Sequence, residues 1–173
     1  MCSRVSTRAR LLDVHEILTP AAHRSHRRYP FQVPPDSSRL EIWVRYAPKR
    51  LGEHESARLA DNALARQAAS LVTRVGATRA EQWSVDYGPV ATRARVANLL
   101  TISLDDADGA YRGAGHRQAN DQHLTLGAHG ASPGLVVGPL PPGAWTLTLS
   151  AHTLVSDQCE LSIQIAAVMA SSR

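Results

Sequence analysis

Apolar and polar residues alternate with a period of two in three stretches of the chain. Leu40, Ile42, Val44 and Tyr46 alternate with Arg39, Glu41, Trp43 and Arg45. Trp145, Leu147 and Leu149 alternate with Thr146, Thr148 and Ser150, and Cys159, Leu161, Ile163 and Ile165 with Glu160, Ser162 and Gln164. Successive side chains of a strand point to opposite faces, so each stretch predicts a strand with one wet face. Weaker versions occur at 98–106 (Leu100, Ile102, Leu104) and 122–128 (Leu124, Leu126).

Turn-forming clusters rather than helices separate the later strands. DDADG makes a tight turn at Asp108-Gly109, and Arg112 is in position to pair with one of its aspartates and pin it. ASPGLVVGPLPPGAW, residues 131–145, combines prolines that fix φ with glycines that relax it, and delivers Trp145 to the core. Short alternating strands joined this way predict a mostly β, antiparallel sandwich of jelly-roll type rather than βαβ units. That excludes the usual nucleotide-binding scaffolds, and no Gly-rich phosphate fingerprint is present.

One segment follows a different period. From Glu53 to Val75, Ala60, Leu64, Ala68, Leu71, Val72 and Val75 recur at helical spacing and the run stops at Gly76. It predicts one inserted helix at about 53–76, followed by a polar stretch to about 95. STRARLLDVHEIL predicts a short helix in an N-terminal arm covering 1–28. The expected organisation is that arm, one sandwich domain over 29–168, and a tail at 169–173.

At 173 residues, 43% hydrophobic and 20% charged, the chain has the composition of a globular protein. Cys2 and Cys159 match no metal spacing, and Cys159 falls on the apolar phase of its strand, which predicts a buried thiol. No secretory leader and no stretch of membrane-spanning length occur, so the expectation is a cytoplasmic protein without membrane contact.

Charge is uneven along the chain. Residues 1–50 hold ten Lys and Arg against four Asp and Glu, and the remainder nine against eleven. The excess sits mainly on Arg4, Arg8, Arg10, Arg24, Arg27 and Arg28. Nucleic-acid binding by this arm is one alternative function, although no aromatic residue for base stacking precedes Tyr29.

Three phrases together resemble a known family. NLLTISLDDADGAYRGAGHR (98–117), with Asn98, Asp106, Gly109, Tyr111, Arg112 and Gly113, is followed by Pro133, Gly134, Gly138, Pro139, Pro141, Gly143 and Trp145 in the long turn. With YPFQVPPDSSRLEIWVRY (29–46), they are similar to the amino-terminal β-sandwich domain of CehA/McbA-type metallohydrolases, carbaryl-hydrolase-like members of the PHP superfamily. The resemblance spans roughly 29–46 and 96–168 and leaves the helical insertion out. In that family a larger domain bearing His and Asp metal ligands performs hydrolysis, and neither that domain nor the His-x-His motif is found here. The resemblance therefore implies an accessory module without catalytic residues or cofactors, partnering a separate hydrolase subunit or itself.

Candidate chemistry outside the resemblance is sparse. A zinc site needs three ligands and an open position. His23 and His26 lie among arginines; His116, His123 and His152 are the remaining weak candidates for a metal-dependent hydrolase. Ser132 lacks a strand-to-helix elbow around it. The contact surface is expected at Trp43, Arg45, Arg112, His116 and Arg117, with Gly109, Gly113, Pro133, Gly134, Gly138, Pro141, Gly143 and Trp145 as turn residues. Trp43, on a wet strand face, is suited to a sugar ring, and more so to a protein partner or the chain's own helical insertion.

Overall fold

The computed structural model describes residues 7–91 and 95–170. Eight strands follow in the order β1 (Arg8–Leu18), β2 (Ser25–Val33), β3 (Ser37–Ala47), β4 (Leu99–Asp105), β5 (Tyr111–Ala114), β6 (Asp121–Gly127), β7 (Gly143–Thr153) and β8 (Cys159–Met169). They form two four-stranded sheets, β1-β8-β3-β6 (sheet A) and β2-β7-β4-β5 (sheet B), and every paired neighbour is antiparallel. Consecutive strands thus alternate between sheets along much of the chain, the connectivity of a jelly roll.

The alternation in sequence becomes the two faces of each sheet. Leu40, Ile42, Val44 and Tyr46 of β3 meet Trp145, Leu147 and Leu149 of β7 in one core, joined by Leu161, Ile163 and Ile165 of β8. Cys159 is buried with them, as its phase requires. The polar phases of β3, β6 and β8 share the outer face of sheet A.

The N-terminal arm is where the structure departs from the helical expectation. Arg8–Leu18 is an edge strand, in register with β8 from Arg8 opposite Val168 to Leu18 opposite Cys159. A register irregularity between Arg10 and Leu12 places the adjacent Leu11 and Leu12 both against the core. A single 3-10 turn at Pro20–Ala22 leads into β2, which pairs with β7. Residues 7–28 are therefore framework, and the charge of Arg8, Arg10 and Arg27 is met by Glu41, Asp13 and Glu16 respectively. Arg4, Cys2 and residues 171–173 lie outside the described residues.

The insertion is a second compact unit, residues 50–98. Helix α1 (Glu53–Val75) agrees with the periodicity, and the polar stretch after Gly76 contains a second helix, α2 (Ala77–Ala91), beyond the one expected. Trp83 and Tyr87, one turn apart on α2, stack with centroids 5.6 Å apart. Arg50 bridges Ala97 and the Leu51 N–H donates to the Val96 carbonyl at 3.0 Å, so the unit begins and ends on one antiparallel neck. No helix among the described residues is long and apolar enough to cross a membrane.

Candidate functional site

Two of the three phrases that carry the family resemblance, 98–117 and 131–145, come together around Arg112. Asp106 Oδ1 accepts the N–H groups of Asp108 (3.1 Å) and Ala110 (2.9 Å), closing the turn in which Gly109 has φ +77°. Its other oxygen meets Arg112 Nη1 at 3.3 Å, with each side chain only 7% exposed. From the opposite side Arg112 donates to three carbonyls of the long loop: Nη1 to Pro139 at 2.8 Å, and Nη2 to Val136 and Gly138, both at 3.2 Å. A single guanidinium thus ties the β4–β5 turn to the β6–β7 loop.

Two glycines let that loop lie against β5. Gly113 and Gly134 have φ of +103° and +92°, and a Cβ on Gly113 would stand 2.2 Å from the Gly134 carbonyl oxygen, one on Gly134 2.4 Å from that of Ala114. Only glycine fits at either place. At the start of the loop, Pro133 follows Ser132, whose Oγ accepts the Thr125 N–H at 2.9 Å. At its end, Trp145 donates its indole N–H to the Pro141 carbonyl at 2.8 Å, and Gly143 opens β7. Arg112 belongs to this clasp and not to a contact surface, because burial removes its charge from any partner.

The clasp nevertheless displays apolar groups. The Val136 N–H donates to the Arg112 carbonyl at 2.9 Å, so the loop follows the free edge of β5 and carries Val136 and Val137 past Tyr111. These three are 51%, 52% and 60% exposed. No pattern in the sequence marks these three as exposed, since their exposure depends on how the loop is held.

A second group of exposed residues lies on the outer face of sheet A. The register sets Trp43 opposite His123 on β6 and Gln164 on β8, and Arg45 opposite Asp121 and Ser162. Trp43 and His123 stack at 4.7 Å between centroids and 3° between planes, close to the spacing of neighbouring strands, so the rings stand parallel on the sheet. Arg45 Nε lies 4.0 Å from Asp121 Oδ2. Beside Trp43 a hollow of about 290 Å³ is lined by Arg45, Asp121, Ser162 and Gln164. A larger one of about 560 Å³ shares Arg45 and Ser162 and extends to His15, Ile17 and Glu160.

Trp43 and Arg45 are therefore neighbours, as the strand period implies. His116 and Arg117 are exposed on the β5–β6 connection; the N–H of His116 donates to Gln122 Oε1 at 2.6 Å, and its Nδ1 accepts the Gln118 N–H at 3.2 Å. The three histidines weighed as metal ligands do not converge. His123 is on sheet A against Trp43, while His152 is on sheet B, its Nε2 2.9 Å from Thr101 Oγ1. Among the described residues no group of three or more His, Cys, Asp or Glu is placed to hold a metal ion.

The fold class these observations define is an eight-stranded jelly-roll sandwich carrying a helical insertion. No protein-family model matches the sequence, and no curated protein is significantly similar to it.

Proposed function

We propose that the chain is a non-catalytic binding and assembly module, kin to the leader domain of CehA/McbA-type metallohydrolases, that associates with a separate hydrolase subunit or with a second copy of itself. The observation that carries this reading is the role of Arg112. The side chains that motivate the resemblance are occupied in holding a loop, with Arg112 spending its donors on Asp106 and three carbonyls. What the clasp leaves outside is a contact surface of Tyr111, Val136 and Val137, three of the four large apolar side chains that the described sandwich exposes. Apolar groups on a backbone held in advance lose little entropy on docking.

Sedimentation velocity tests the proposal, with the chain alone and mixed with a PHP-type catalytic domain that lacks its own leader. Association in one of the two conditions is expected, and Val137→Asp should abolish it while leaving the unfolding midpoint unchanged. A chain that stays monomeric and ignores the catalytic domain, or one that itself hydrolyses p-nitrophenyl esters or phosphates, overturns the reading.

A further inference from the structure

The outer face of sheet A carries a site that is separate from the β5 edge, and we propose that it binds a neutral saccharide. His123 covers one face of the Trp43 indole and fixes the ring upright; the ring is half-buried and forms a wall of the smaller hollow. An indole held this way offers a rigid apolar plane, the surface on which the C–H face of a pyranose stacks.

The groups beside the ring suit hydroxyls. Arg45 supplies several N–H donors, Asp121 acceptors, and Gln164 and Ser162 both kinds. A sugar hydroxyl donates and accepts at once, so a mixed lining satisfies it where a lining of one kind would not. Charge on the face is matched internally: Arg45 faces Asp121, while Asp13 receives Arg10 at 2.7 Å. A polyanion would meet Asp121 and Glu160, and a polycation Arg45, without a compensating surplus. Gln164 Nε2 bonds Asp13 Oδ1 at 3.3 Å, which ties the amide at the hollow's rim to β1.

Size agrees with an oligosaccharide. Ligand sites run from roughly 300 to 1,000 Å³. The two hollows, about 290 and 560 Å³, adjoin at Arg45 and Ser162 and lie on the outer face between them across β6, β3, β8 and β1. A chain of rings can lie across the strands there, stacked at Trp43 and hydrogen-bonded towards His15 and Glu160.

The experiment is a titration of the full chain with cellotetraose, xylotetraose, mannotetraose and maltotetraose, followed by calorimetry and by amide shifts in nitrogen-edited NMR spectra. At least one sugar should shift amides of β3, β6 and β8, and Trp43→Ala should weaken its binding by about tenfold or more. Gln164→Ala, a milder change at the rim, should weaken it as well without altering the unfolding midpoint. A heparin tetrasaccharide should bind less tightly than the neutral sugar. Failure of all four sugars overturns the proposal, as does tighter binding of heparin. Loss of hydrolase association or self-association in Trp43→Ala, without sugar binding, makes the face a protein interface and also overturns it. The sugar titrations do not bear on Val137, so failure of sugar binding leaves the assembly reading to its own test.

Discussion

The guanidinium of Arg112 stands 5.2 Å from the centroid of the Trp145 ring, and each side chain reaches a carbonyl of the same loop, Pro139 for the arginine and Pro141 for the indole. The two residues come from adjacent parts of the resemblance and act as one fastening. Arginine suits the position because its planar fork directs several donors at once and it stacks on aromatic faces. Arg112→Ala would leave the Asp106 carboxylate buried without its cation and three carbonyls without a donor. The expected loss is roughly 3–5 kcal/mol, the range for breaking a buried pair by removing one partner. Arg112→Lys should recover only a minor part, because an ammonium has no fork. Urea unfolding measures both, and a loss below about 1 kcal/mol, typical of exposed pairs, would make the clasp incidental.

Backbone approach is the second support of the loop. Gly113→Ala and Gly134→Ala each place a methyl group within 2.4 Å or less of a carbonyl oxygen at positive φ. Neither backbone can give way without breaking the bonds from Ala114 N to Gly134 O and from Val136 N to Arg112 O. Each substitution should cost on the order of 3 kcal/mol, through strain and lost loop contacts. Gly130→Ala is the comparison, with nothing within 4 Å of its added Cβ. It should stay within about 0.5 kcal/mol of the parent in thermal unfolding. Equal effects at all three positions would refute a close-approach role.

Strand interiors were legible because their period survives folding. Leu40 to Tyr46 and Trp145 to Leu149 face the core as their alternation requires. The first strand was not, since apolar residues at 11, 12, 14, 17 and 18 suit a helix as well as a strand, and pairing with β8 decides between them. In β2 only Tyr29, Phe31 and Val33 alternate cleanly, behind a charged beginning. The site was half legible for a related reason. A wet face for Trp43 and Arg45 follows from phase, whereas the partnership of Trp43 with His123 depends on β3 lying beside β6, which is a matter of sheet order. For Arg112 the residue type suggested a partner for the acidic turn, but its burial follows from a loop distant in sequence.

Tyr29 predicts the alkaline limit of the sandwich. Burial, and then the nearby Glu16 carboxylate, raise its pKa above the ordinary 10.0. The folded state therefore holds the phenolic proton more tightly than the unfolded chain does. The resulting stabilisation is fully present below about pH 10 and is lost as pH rises through the higher folded-state value. Tyr29→Phe should flatten the fall in stability above about pH 10. Urea midpoints recorded across that range for Tyr29→Phe and the parent give the two slopes, and identical slopes would rule the assignment out.

The neck of the insertion makes the last prediction. Arg50 and Ala97 bridge, and the Leu51 N–H reaches the Val96 carbonyl, so the chain enters and leaves residues 50–98 side by side. Two antiparallel segments this close accept a two-residue Asn-Gly turn, whose positive φ angles match the twist of a hairpin. Replacing residues 52–95 with Asn-Gly should remove the helical signal in circular dichroism and leave the β signal. Residues 50–98 are a compact unit of their own and the core of the sandwich is built from residues outside it, so the strands keep their own core. Unfolding of the shortened chain should remain a single cooperative transition, with the Trp145 environment intact by near-ultraviolet dichroism. A shortened protein without that near-ultraviolet signal would show that the helices are needed to complete the sandwich, and that the insertion is part of the fold and not an addition to it.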